Sequence, residues 1–263
     1  GADYPRPDAQ HLMDAGISLQ AYAEKWHVAW PEQDVLNVFV SAPERELCSA
    51  WGALLFELHD SLFCLEHDTV RQAKCLWWSQ ELLAMSANSA RHPLTRMLQS
   101  QDAPFAGLAE PLAALAVQVP VKATQTSALF LALQPLALAV SACEASLFGS
   151  RSAQSDAQSI IGQWLVMRLP HGLTAFDRAM LPMHLLARHQ AMANTETMPG
   201  LRRDWLQELR GVLLKQRPEN WYRHAQWRFT LRRIAVLNHR DTPLITPGHA
   251  WDAWRAVRSG RNA

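Results

Sequence analysis

The side chains best able to do chemistry fall in two stretches. The first, ALLFELHDSLFCLEHD (Ala53 to Asp68), sets Glu57 and Asp60 three residues apart, with His59 between them and Glu66 and Asp68 beyond. Residues three or four apart share a helix face. Glu57 and Asp60 are therefore either a polar patch in a site or a plain solvent-facing side. The second stretch, MRLPHGLTAFDRAMLP, offers Asp177 and His171, with Arg168 and Arg178 close by. Carboxylates at i and i+4 can hold Mg²⁺ against phosphate oxygens. The only such pair is Asp204 with Glu208, and its flanking arginines point to a salt-bridged helix face.

Other chemistries find no support. His59, His67, His171, His184 and His189 lack the H-E-x-x-H spacing of a zinc site, although His59 with Glu57 and Asp60 could take a stray ion. There is no G-x-S-x-G elbow, and GSRSAQSDAQ lacks the lysine of a phosphate loop. Cys48, Cys64, Cys75 and Cys143 show no C-x-x-C spacing and read as reduced, mostly buried thiols of a cytoplasmic protein. A net charge of +1 speaks against a nucleic-acid partner. Arginines do cluster late in the chain, in LRRDWLQELR, FTLRRIAVLNHR and WRAVRSGR. They read as solvated helix faces, with an anion or phosphate site as the alternative.

Helices must position these groups. Alanine, leucine, glutamine, glutamate and arginine dominate, and the alternating β-branched runs of strands are missing. Helices are expected over ISLQAYAEKWHVAW, PEQDVLNVFV, APERELCSAWGALLFELHDSLF and DTVRQAKCLWWSQELLAMS, then in shorter pieces split by prolines. More helices follow at Thr124 to Phe148, SIIGQWLVMRL, LPMHLLARHQ, LRRDWLQELRGVLLKQ, PENWYRHAQWRFTLRRIAVLNHR and PGHAWDAWRAVRS, with GSRSAQSDAQ as a polar loop. With 263 residues, 49% of them hydrophobic, and no linker-like tract, the chain reads as one all-α domain over residues 1–263.

Ala128 to Phe148 is nearly long and apolar enough to span a bilayer, but Gln134, Pro135, Ser141 and Glu144 interrupt it. It reads as a central buried helix kinked near Pro135. The opening GADYPRPDAQ lacks the pattern of a signal peptide. The basic tail allows a peripheral membrane contact, and WDAWRAVR reads as a helix docked by its aromatic face or used against a protein partner.

Three ordered patches resemble the squalene/phytoene synthase family of head-to-head prenyltransferases. KCLWWSQEL followed by HPLTRML is similar to the family's basic residue, paired tryptophans and HP before an apolar run. ERELCSAWGALLFEL resembles the helix upstream, and IIGQWLVMRL with LPMHLLARHQ resembles a later glycine-bearing helix followed by LP and LLARH. The resemblance spans roughly Val35 to Gln190. It implies an isoprenoid-synthase-type helical bundle around a central cavity.

Active members carry a D-x-x-x-D motif on each of two facing helices, where Mg²⁺ held by carboxylates neutralises departing pyrophosphate. The first motif should lie between Ala53 and Lys74 and the second just before Leu181 and Pro182; neither is present. The resemblance therefore implies a divergent member that binds an isoprenoid or lipid ligand, or acts in assembly as do family relatives tied to respiratory complexes. No cofactor is then expected. The alternative is an active prenyl diphosphate transferase using Mg²⁺ on unorthodox residues. Cavity or ligand-binding candidates are Arg45, Glu57, Asp60, Lys74, Trp77, Trp78, His171 and Asp177. Arg45 could bind an anion or bond a carboxylate near a helix start. Lys74 is either a snorkelling edge residue or a phosphate ligand. Trp77 and Trp78 project about 100° apart, so one can pack while the other lines a cavity.

Overall fold

The computed structural model describes residues 9–149, 154–171, 173–189, 198–240, 242 and 244–260, without the side chains of 9–18, 154, 171, 198 and 260. Among these the protein is all helical, with no strand. The helices are α1 (Ala9–Ala29), α2 (Glu32–Asn37), α3 (Ala42–Phe63), α4 (Asp68–Ser86), α5 (Pro93–Leu98), α6 (Ala109–Gln118), α7 (Thr126–Phe148), α8 (Gln154–Met167), α9 (Ala175–Met180), α10 (Met183–Arg188), α11 (Met198–Leu213), α12 (Trp221–Leu237) and α13 (Pro247–Gly260). Short 3-10 turns cover Phe105–Leu108 and Leu169–His171.

Local chemistry sets the ends. The Glu44 carboxylate accepts from the Ser41 N–H at 2.9 Å and its hydroxyl at 2.7 Å, closing the start of α3, with Pro43 in the first turn. The Asn220 side chain accepts from the N–H groups of Tyr222 and Arg223 and so starts α12. Gly149, left-handed at φ 69°, ends α7.

The buried apolar side chains form one connected core that includes the fully buried Trp30, Trp51 and Trp78. Helix α8 packs against α7, α11 and α12. Two close approaches depend on missing side chains: a Cβ on Gly162 would sit 2.6 Å from a Leu213 methyl, and one on Gly52 would sit 2.5 Å from the Trp26 ring nitrogen.

α7 runs through Pro135 as one helix, and several other expectations change. It is the one helix among the described residues long and apolar enough to cross a membrane, yet it lies against α6, α8 and α12 and carries the fully buried Glu144. Glu144 bonds the Arg223 guanidinium through both oxygens and accepts from the Trp51 indole at 3.0 Å. The late arginines are not all solvated faces. Arg233 is buried and pairs with Glu32 while lying 3.8 Å from the centre of the Trp30 ring, and Arg228 and Arg232 both hold the buried Asp252. Such arginines need acids that the linear pattern does not show, because the partners lie on other helices.

Gln154 to Gln158 is helix rather than loop, with Asp156 fully buried. α13 docks through Asp252, Ala253, Ala256 and Val257, so the aromatic face expected to dock turns outward: Trp251 is 57% exposed. Cys64, unlike the other three cysteines, is exposed.

Candidate ligand cleft

Helix α3 delivers one wall of a partly open cleft of about 950 Å³. Because Phe56, Glu57, His59, Asp60 and Phe63 lie within two turns, the helical period brings them to neighbouring positions on that wall. α1 supplies Lys25 and Val28, and the end of α8 supplies Met167 and Arg168. Beyond it, Pro170, Thr174 and Phe176 close the opposite side.

The two acids that α3 places on the cleft each meet a basic side chain. Lys25 Nζ lies 3.4 Å from Glu57 Oε1, and Lys74 Nζ lies 3.1 Å from Asp60 Oδ2. Across the cleft, the Arg168 guanidinium donates to Asp177 and reaches the Cys64 sulfur at 2.9 Å, while resting on the Phe176 ring. Burial opposes the Arg168 charge, but the bonds to Asp177 and Cys64 prevail and hold its pKa above the ordinary arginine value. The second oxygen of Asp177 accepts from the Thr174 N–H at 2.9 Å and hydroxyl at 2.6 Å, capping α9.

His59 is buried against Phe63 and directs Nε2 at the Trp164 carbonyl, 3.1 Å away. Since a carbonyl only accepts, Nε2 carries the proton and Nδ1 is left as an acceptor. Burial, helped by the Arg168 charge, pushes the His59 pKa down to about 4.

Of the residues singled out from the sequence, the structure brings together Glu57 and Asp60 on the cleft, with Lys74 joined to it through Asp60. Asp177 lies behind Arg168 and faces a small void of about 20 Å³ instead. Arg45 is elsewhere, in a separate hollow of about 300 Å³ between α1, α3 and α5; it bonds the Asn37 carbonyl at 3.0 Å rather than a carboxylate. The His171 side chain lies outside the described residues.

Neither tryptophan of the pair lines the cleft. Trp78 is buried edge-on against His92, and Trp77 leans on Trp78 with 44% of its surface exposed. The HP step has a structural role: Glu81 accepts from the N–H groups of Arg91 and His92 and from the Thr95 hydroxyl, fixing the turn into α5. Lys25 and Cys64 were missed as cleft residues. Nothing in YAEKWHV ties Lys25 to an acid 32 residues later.

Asp204 and Glu208 do form an ion-paired face, but their partners are His189, His184 and Arg188, so the pair fastens α11 to α10.

The residues present do not fit the magnesium cluster that the family resemblance implies. The second wall offers one carboxylate, committed to Arg168 and to capping α9. Among the described residues no three His, Cys, Asp or Glu side chains converge as a metal site requires. No family model matches the chain, and none of the curated proteins does.

Proposed function

We propose that this protein is a squalene/phytoene synthase-like binder of an isoprenoid or other lipid chain, on a scaffold that no longer carries out magnesium-dependent prenyl transfer. The observation that carries this reading is the cleft: about 950 Å³, walled by Val28, Phe56, Phe63, Met167 and Phe176, with Glu57 paired to Lys25 and Asp60 to Lys74. That volume is near the upper end of the roughly 300–1,000 Å³ of small-molecule sites. Apolar walls with a few polar groups suit a long hydrocarbon chain.

The test has two arms. Purified protein with Mg²⁺ and farnesyl or geranylgeranyl diphosphate is expected to release no pyrophosphate. A thermal-shift panel of squalene, geranylgeraniol and geranylgeranyl diphosphate is expected to contain at least one compound that raises the Tm, since a ligand that binds the folded state stabilises it. Pyrophosphate release abolished by EDTA would establish an active transferase instead. A panel in which no compound shifts the Tm would remove the binding reading.

A further inference from the structure

Helix α13 turns its largest side chains to solvent. Its inner face, Asp252, Ala253, Ala256 and Val257, is small and carries one acid. That acid fixes the rotation of the helix, because Arg228 and Arg232 on α12 both hold the buried Asp252. The entry is held as well: the Thr246 N–H donates to His249 Nδ1 at 3.0 Å. The outer face follows at helical spacing with Pro247, Trp251, Trp254, Arg255 and Arg258. Trp251 and Trp254 are 57% and 36% exposed, with ring centres 4.9 Å apart. Leu244 and Ile245, just ahead of the helix, are 48% and 42% exposed. Soluble surfaces show such side chains singly; four along one short stretch mark a face that meets something apolar.

The surrounding charges narrow what that is. On α12 the buried Arg223 and Arg233 are spoken for by Glu144 and Glu32. The other arginines of α12 and α13 are Arg228, Arg232, Arg255 and Arg258, and Asp252 is the only acid on either helix. Arg255 and Arg258 have no acidic partner among the described residues, and Arg258 lies over the Trp254 ring, 5.1 Å from its centre. Arg217, Arg228 and Arg255 converge on His224, whose pKa burial and their charges together push down to about 4. The aromatic face is therefore edged by positive charge.

A second copy of the chain does not suit it, since a two-fold contact through this face would set arginine against arginine. Nucleic acid would use the indoles and the arginines but leave the aliphatic pair unanswered. An anionic bilayer answers all three: indoles rest at head-group depth, Leu and Ile reach the acyl boundary, and guanidiniums meet phosphate. We propose that the outer face of α13 docks the protein on membranes that contain anionic phospholipid. α13 supplies no wall of the cleft, so this docking stands whether or not the cleft takes a lipid.

The test is co-sedimentation with sucrose-loaded vesicles of phosphatidylcholine alone, or of a two-to-one mixture with phosphatidylglycerol. The mixture is expected to bind at least about tenfold more tightly, with an advantage that shrinks as salt is added. Arg255→Gln with Arg258→Gln should weaken that binding roughly 30-fold, since each arginine at an anionic surface contributes a factor of about five. Trp251→Ala with Trp254→Ala should weaken it at least about tenfold. Phospholipid brominated in its acyl chains should quench the fluorescence of the parent and not of the Trp251/Trp254 variant. Arg91→Gln with Arg96→Gln makes the same charge change at exposed positions around α5 and should bind as the parent does. All the substituted side chains are exposed, and circular dichroism checks that each variant keeps its helices.

Binding to neither vesicle, equal binding to both, or an equal loss in the Arg91/Arg96 variant overturns the proposal. So does a Trp251/Trp254 variant that binds as the parent does, which would leave the vesicle contact to the cleft or to another face. A doubling of mass in light scattering that the Trp251/Trp254 variant abolishes, in place of vesicle binding, makes the face a self-association surface instead. Retention of a single-stranded oligonucleotide in place of vesicles assigns it to nucleic acid.

Discussion

Replacing Glu144 with leucine tests whether α7 is held in the core by a buried charge. Arg223 is fully buried and donates through Nε and Nη2 to the two oxygens of Glu144, and through Nη1 to Gln163. Removing the acid leaves the guanidinium stranded away from water, which costs about 3–5 kcal/mol. For a chain of this size each kcal/mol moves the Tm by roughly 2–4 °C, so the variant should melt roughly 6–20 °C below the parent. Arg223→Met should cost a similar amount, since it strands the carboxylate.

The double variant removes both charges and should lose far less than the two singles combined. The residue of the loss comes from the Trp51 indole, which donates to the Glu144 carboxylate, and from Gln163, which accepts from Arg223. Urea unfolding followed by circular dichroism, with the slopes compared across all four proteins, gives the coupling energy. Additive losses, or a single-variant loss under about 1 kcal/mol, would refute the claim that these two groups share one desolvated pocket.

Gly162→Ala should lower stability by roughly 1–3 kcal/mol in the same assay, because its methyl would meet Leu213; Leu213→Ala in the same chain should recover part of the loss. Glu81→Gln should destabilise by about 2 kcal/mol, as a neutral amide oxygen replaces the charged acceptor serving Arg91, His92 and Thr95. Acidification should also act through His59 and His224. Both have pKa values pushed down to about 4, chiefly by burial, so the unfolded chain binds more protons than the fold below the ordinary histidine value of 6.5. Stability present above pH 6.5 is therefore lost as the pH falls toward 4, and replacing both histidines with glutamine should flatten that slope. Asp156 works in the opposite sense: burial raises its pKa from 3.8 to about 6, so the fold loses stability as the pH rises across that window, and Asp156→Asn should gain on the parent between those pH values and hold the gain above 6 in thermal melts.

Helix α3 and helix α4 were readable to the residue, because Ser41 with Glu44 marks one start and the run from Leu65 to His67 separates them. Glu57 and Asp60 could be placed on one face for the same reason, as a repeat of 3.6 residues needs no tertiary knowledge. The pairing of Arg168 with Asp177 was only half visible: both residues stood out, but not that a turn at Leu169–His171 would fold one back on the other. Lys25 could not be found at all, since α1 and α3 meet through packing that leaves no local trace. The buried arginines misled for a related cause. A guanidinium on a helix reads as a solvent-facing group unless the acid opposite is known, and Glu32 lies 201 residues from Arg233.

That last distance bears on how the chain is made. Glu32 is buried near one end of the described chain, and its counter-charge sits on α12. α2 also rests on α13. During synthesis the early helices must wait, with an acid unanswered, until Arg233, 201 residues later, has left the ribosome. Contacts this remote in sequence slow folding. A nascent chain arrested before α12 should therefore be readily cut by protease around α2, and release of the remaining residues should protect it.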